Sequence, residues 1–177
     1  MRVAGKDIHA VEETLSLPVG RLAALYTEHV GRAVGLATLL TGDRHLAEDI
    51  GHDAFLKVAG RFGDLRDPGA FGAYLRRTVV NLCRARMRRL GRERDALRRH
   101  MPNDALDPDR TAEDRDQLWP AICRLPYRQR AVVVLRYWDD LSESQIAEAM
   151  RCSRRAVNAL LSRAMASLRS EVGRDEE

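Results

Sequence analysis

The chain has 177 residues, of which 32% are charged and 45% hydrophobic, and a formal net charge of +4. That length allows one domain or two small ones. The composition is that of a soluble globular protein, and no apolar run approaches the ~20 residues a membrane span needs.

Arginine supplies 28 of the 30 basic residues, the only lysines being Lys6 and Lys57. Its planar fork of donors suits phosphate and guanine, although a GC-rich genome explains the same bias equally well. Cys83, Cys123 and Cys152 are far apart, with no C-x-x-C pairing, which favours buried free thiols over a disulfide or a metal site. The histidines (His9, His29, His45, His52, His100) are scattered, and there is no Gly-rich phosphate loop or nucleophile motif. Neither an enzyme nor a cofactor is expected.

Residues 1–20 lack a clear period and read as a loose arm. The opening stretch MRVAGKDIHAVEETLSLP has no signal-peptide core, so the cytoplasm is the expected location. From Arg21, Leu22, Leu25, Tyr26, Val30, Val34, Ala37 and Leu40 return to one side of a first helix. Gly42 suits its end and Asp43 the N-cap of the next. In that second helix Leu46, Ile50, Phe55, Val58 and Phe62 form the apolar side. Glu48, Asp49, His52 and Asp53 gather opposite, an acidic side that invites a basic protein partner.

Asp67-Pro68 looks like an N-cap followed by proline at the first helical position. In the third helix Phe71, Tyr74, Leu75, Val79, Leu82, Cys83 and Met87 are expected to face a core. Arg76, Arg77, Arg84, Arg86, Arg88, Arg89, Arg92, Arg94, Arg98 and Arg99 oppose only Glu93 and Asp95. A charge run is often a solvated face, but so many crowded cations repel one another, and an anionic partner relieves that through counterion release.

Residues 100–115, with two prolines and several aspartates, read as a flexible acidic linker. A second domain spans 116–172, followed by a tail at 173–177. Leu118, Trp119, Ile122 and Leu125 suggest a short helix with Pro120 in its first turn or at a kink, and YRQRAVVVLRYW a strongly apolar one. Ser142 and Gln145 then have the form of a capping box, with Ile146, Ala147 and Met150 on one side. Ser153 offers a second N-cap, and Val157, Leu161, Ala164 and Leu168 line one stripe of a last helix of about four turns. Arg155, Asn158, Ser162 and Arg163 lie opposite. This is a helix-turn-helix pattern whose basic side suits a DNA groove; an ordinary amphipathic hairpin with a solvated face would give the same spacing. The fold class is therefore all-α: two small helical domains joined by a flexible acidic linker, the second a helix-turn-helix.

The order of AEDIGHDAFLKV, AYLRRTVVNLCRARMRR, a linker, and LPYRQRAVVVLRYWDDLSESQIAEAMRCS with a terminal helix resembles the extracytoplasmic-function (group IV) sigma factors of bacterial RNA polymerase, over about residues 21–170. The resemblance implies that 21–99 is a region 2-like domain and 116–172 a region 4-like domain. It implies docking on the beta-prime clamp coiled coil of polymerase core by Asp49, His52, Asp53 and Leu56, with the beta flap as a further contact. Arg76, Arg77, Asn81, Arg84 and Arg88 would hold the melted minus-10 element of promoter DNA. Ser153, Arg154, Arg155, Asn158, Ser162 and Arg163 would meet the minus-35 element. The resemblance also implies an anti-sigma factor, which could hold the protein at the membrane, whereas the active form would sit at the nucleoid.

Departures from the family pattern bear on both ends. His52 stands where glutamine is common, Ala59 where an aromatic is common, and Ala85 where an aspartate is often found. Family members have a form close to S-P-G-T-V-K-S-R-L-S-R where this chain has residues 153–163, so that Asn158, Ala159 and Leu160 replace polar groove-facing residues. Leu160 on the outer face would suggest a protein contact. Three functions follow as expectations: a promoter-specificity subunit, a sigma-like polymerase- or regulator-binding protein with altered or lost minus-35 reading, and a plain helix-turn-helix repressor acting without polymerase.

Overall fold

The computed structural model describes residues 19–61, 68–98 and 118–172. The expected arm, linker and tail fall wholly or largely outside them, as do Phe62 and the Asp67 cap. Among the described residues all regular structure is helical and no strand occurs: α1 (Val19–Thr41), α2 (Arg44–Ala59), a 3-10 turn (Pro68–Ala70), α3 (Phe71–Arg98), α4 (Leu118–Arg124), α5 (Tyr127–Tyr137), α6 (Glu143–Met150) and α7 (Arg154–Val172). None of these helices is long and apolar enough to cross a membrane. The chain forms two compact units, divided between Leu82 and Cys83 within α3.

In the first unit α1 and α2 form a hairpin with a two-residue turn. Gly42, at φ +75°, is the turn's left-handed residue, and its N–H reaches the Thr38 carbonyl at 2.8 Å. Glycine adopts that conformation without a Cβ penalty. Asp43 then caps α2, its carboxylate accepting from the Leu46 N–H at 2.9 Å.

The seam between the two helices is built from small side chains, with Ala33 and Ala37 of α1 and Ala47, Gly51 and Ala54 of α2 all buried. This corrects the expected α1 stripe: Ala33, Leu36, Ala37 and Leu40 are buried, whereas Leu22, Leu25, Val30 and Val34 are half-buried and Tyr26 is exposed. For Leu22 and Leu25 the reason is length: α1 has 23 residues and α2 has 16, so at 1.5 Å per residue α1 outruns its partner by about 10 Å and its first turns have less cover.

The 3-10 turn starts at Pro68, where a missing N–H costs nothing, and leads into α3. Phe71, Leu75, Val79, Val80 and Cys83 are buried. Phe71 meets Phe55 edge-on at 5.7 Å between centroids and stacks on His29 at 5.2 Å, which joins all three helices at one aromatic cluster. Tyr74, expected in the core, is 45% exposed. It stands about 100° around the helix from the centre of the Phe71–Leu75–Val79 line, where its hydroxyl can stay wet.

In the second unit α4, α5 and α6 each pack against α7. Pro120 sits in the first turn of α4, where it displaces no intrahelical hydrogen bond. Helix α5 buries the continuous run from Arg130 to Leu135, but Tyr137 and Trp138 at its end are exposed.

Arg130 is charged yet only 7% exposed. Its Nη2 donates to the carbonyl oxygens of Cys123 at 2.5 Å and Leu125 at 3.3 Å, groups that the end of α4 leaves without intrahelical donors. Burial draws the Arg130 pKa below its ordinary value.

Candidate functional site

Three helices, α2, α3 and α7, carry the residues that the sequence singles out. On α2, positions 49, 52, 53 and 56 recur at helical spacing, and Asp49, His52, Asp53 and Leu56 are all exposed, Leu56 to 61%. An exposed leucine beside two carboxylates is a surface on which a basic partner with an apolar centre fits. Asp53 also pairs with Lys57 at 2.7 Å, an exposed i,i+4 pair of small stabilising value. The sequence did not point to Tyr26 here. Its hydroxyl lies 2.8 Å from His52 Nε2, and its ring meets Phe55 edge-on at 5.1 Å.

On α3, Arg77, Asn81, Arg84 and Arg88 repeat at intervals of four, three and four and form one stripe. Arg77, Asn81 and Arg84 are half-buried and Arg88 is exposed. Arg77 Nε is buried with no hydrogen-bond partner among the described protein atoms. Arg76 is half-buried and stands about 100° away from this stripe, so the structure groups four of the five minus-10 candidates. Further along, Arg89 is tied to Glu93 at 2.7 Å, while the side chains of Arg94 and Arg98 and all of Arg99 lie outside the described residues.

Beside this stripe, a cavity of about 620 Å³ is lined by Leu56, Lys57, Arg61, Tyr74 and Thr78 among others. The lining brings an exposed tyrosine ring together with Arg61 and with Lys57, which is paired to Asp53. Composition alone hid this site, because its residues come from two helices and a turn.

In the second unit the helix-turn-helix follows its local chemistry closely. Ser142 Oγ accepts from the Gln145 N–H at 3.4 Å, and Gln145 Oε1 accepts from the Ser142 N–H at 2.9 Å. The expected capping box is thus complete. Arg151 ends α6 at φ +52°, and the Cys152 N–H returns to the Ala147 carbonyl at 2.9 Å. Ser153 Oγ then accepts from the Ala156 N–H at 3.2 Å, starting α7 as expected.

Helix α7 runs 19 residues, a turn longer than expected. Val157, Ala164 and Leu168 are buried in the unit. Ser153, Arg154, Arg155, Asn158, Ser162 and Arg163 are all exposed. At about 100° per residue, Arg155, Asn158 and Ser162 share one face, with Arg154 and Arg163 on its two edges. Ala159 is exposed on that same face, but Leu160 is half-buried. That corrects its expected outward placement: position 160 lies about 70° from the centre of the packed side, on its flank.

Residues 25–93 match Sigma-70 region 2, and residues 115–168 match Sigma-70, region 4. The RNA polymerase sigma-E factor of Streptomyces coelicolor is 34% identical over 132 residues, covering 73% of each chain. The ECF RNA polymerase sigma factor SigE of Mycolicibacterium smegmatis is 30% identical over 152 residues, covering 82% of this chain and 59% of that one. Among solved structures, the sigma factor RpoE from Bartonella quintana, crystallised with the anti-sigma factor NepR, superimposes with a TM-score of 0.68 at 19% identity, over 88% of this chain and 98% of that one. CnrH, solved with the cytosolic domain of CnrY, gives 0.63 at 23% identity, over 96% and 98%. Two region matches in the family's order, with relatives covering most of the chain, establish that the protein belongs to the sigma-70 family as an extracytoplasmic-function RNA polymerase sigma factor.

Proposed function

We propose that this sigma factor divides promoter-specific initiation among its three surfaces. The α2 face of Asp49, His52, Asp53 and Leu56 docks on the clamp of polymerase core. The α3 stripe of Arg77, Asn81, Arg84 and Arg88, with Arg76 beside it, holds the melted minus-10 strand, and the cavity at Tyr74 and Arg61 accepts an extruded base. The outer face of α7 enters the major groove of the minus-35 element. The beta flap is a further contact on the polymerase side.

The observation that carries this reading is the arrangement at the start of α7. Two serine caps and the left-handed Arg151 fix a tight bend, and the helix after it exposes Arg155, Asn158 and Ser162 on one face. Base-edge and phosphate donors on one rigid helix are what groove reading requires. Run-off transcription with purified core tests it: specific transcripts are expected from genomic promoters, and their absence while core binding persists would refute promoter reading.

A second reading has its own support. Ala159 is exposed on the reading face and offers no polar group, and Leu160 has turned toward the packed side. Helix α7 would then contribute phosphate grip more than sequence discrimination.

An anti-sigma partner belongs to the proposal as well. RpoE and CnrH, whose folds match, were each solved with a partner protein, which for RpoE is named as an anti-sigma factor. The protein would act in the cytoplasm at the nucleoid, with an anti-sigma factor able to hold it at the membrane.

A further inference from the structure

The contact between Tyr26 and His52 joins residues 26 positions apart in the chain, on two helices, at the edge of the surface read above as the polymerase-docking face. We propose that Tyr26 is a positioning residue for that face: its O–H donates to Nε2 of His52, which keeps the imidazole proton on Nδ1 and aims one neutral N–H donor at the docking partner. The inference rests on the reading of α2 as the docking face.

The geometry supports each part. Tyr26 is itself held, because its ring packs edge-on against Phe55 at 5.1 Å with an interplanar angle of 87°, and Phe55 is only 2% exposed. The imidazole lies nearly parallel to the tyrosine ring, 21° between planes and 6.0 Å between centroids. A histidine on an exposed helix face otherwise samples several rotamers, and fixing one at the moment of docking costs entropy. A hydrogen bond made beforehand removes part of that cost. With the tyrosine O–H as donor, Nε2 is the accepting nitrogen and Nδ1 is left to carry the proton. Asp49 and Asp53 neighbour position 52 on the exposed side of α2, and their carboxylates accept but cannot donate. The two aspartates therefore attract a basic partner, while His52 supplies the directional contact they lack.

The experiment uses the full chain and purified core polymerase. Affinity for core is measured by competition for wild type, Tyr26→Phe, His52→Ala and the double variant. Tyr26→Phe keeps the ring contact with Phe55 and removes only the hydroxyl. Each single variant is expected to bind core roughly three- to tenfold more weakly, and the double variant no more weakly than His52→Ala alone. Wild-type affinity in Tyr26→Phe, or losses that multiply in the double variant, would overturn the proposal. Long-range 1H–15N spectra supply a readout that mere packing would not move. His52 should be the Nδ1–H tautomer in wild type and shift toward Nε2–H in Tyr26→Phe; Nε2–H in wild type overturns the assignment. An Asp49→Ala, Asp53→Ala variant separates the two levels. Unchanged core affinity there removes the docking reading and this proposal with it, whereas a loss there with full affinity in Tyr26→Phe removes only the role of Tyr26.

Discussion

A Cβ placed on Gly51 of α2 would lie 2.6 Å from Cγ2 of Val34 on α1 and 3.3 Å from the Val34 backbone nitrogen. The two helices therefore approach as closely as they do because residue 51 has no side chain. Alanine at an ordinary helix position gains about 1 kcal/mol over glycine, while forcing an extra carbon into a packed seam costs about 1–3 kcal/mol. The clash should win. Gly51→Ala is expected to lower the melting temperature, and the same change in a Val34→Ala background should be neutral or stabilising because Cγ2 is gone. Thermal melts of the four chains check this; a Gly51→Ala that melts higher by itself would mean that the close approach is not there.

The second unit depends in a different way on Arg130. Its guanidinium donates to two carbonyls at the end of α4, and taking one partner from a buried polar group is costlier than never having placed the pair. Arg130→Ala should destabilise the unit by about 2–4 kcal/mol in urea titration. Arg130→Lys should recover only part of this, since a single ammonium lacks the fork that reaches both oxygens. Equal stability of the alanine variant and wild type would rule out this capping role.

Neither of these contacts is legible in the sequence, whereas the helix ends are. The caps at Asp43, Ser142 and Ser153 and the left-handed turn at Gly42 were legible because they are local: a hydroxyl or carboxylate three residues before an amide can find it without help from the rest of the chain. The close α1–α2 approach is not legible, because it depends on small residues, Ala33, Ala37, Ala47, Gly51 and Ala54, whose apolar signal is weak beside that of leucine or valine. Tyr74 departs from its expected place for the opposite reason, being apolar enough to count as core and polar enough to stay at the surface. The burial of Arg130 has no local signal, since only the tertiary fold brings the end of α4 to it. Likewise the spacing of Arg77, Asn81, Arg84 and Arg88 was there to be read, but Tyr26 and Tyr74 became site candidates only once separate segments met.

Cys83 gives a test by pH. It is fully buried, and burial pushes its thiol up from 9.0 to about 12, opposed in part by a backbone hydrogen bond. A group whose folded pKa is raised contributes its stability fully below the unfolded pKa and loses it as pH rises toward the folded one. The loss should therefore fall between pH 9.0 and about 12. Urea midpoints are expected to decline more steeply over the accessible part of that window in wild type than in Cys83→Ala. Half-buried Tyr127, whose pKa is raised by burial and next by Cys83, adds a decline of its own that is smaller once Cys83 is removed. A thiol reagent at neutral pH should spare Cys83 in the folded protein and label it after denaturation. Rapid labelling of the folded chain at Cys83 would contradict its burial.

The outer face of α7 decides between reading a promoter and merely gripping one. Arg155 and Asn158 are both exposed on it, but the physics assigns them different signatures. A phosphate contact releases counterions whatever the sequence, so Arg155→Ala should weaken binding to all duplexes alike and reduce the slope of log affinity against log salt by about 1. A base contact acts only where its base is present. Asn158→Ala should cost about 1–3 kcal/mol on the preferred minus-35 duplex and almost nothing on a scrambled one. Titrations of both variants on both duplexes at several salt concentrations separate the terms. Should Asn158→Ala weaken the two duplexes equally, this helix contributes grip without discrimination, and promoter choice would rest on the minus-10 role proposed for α3.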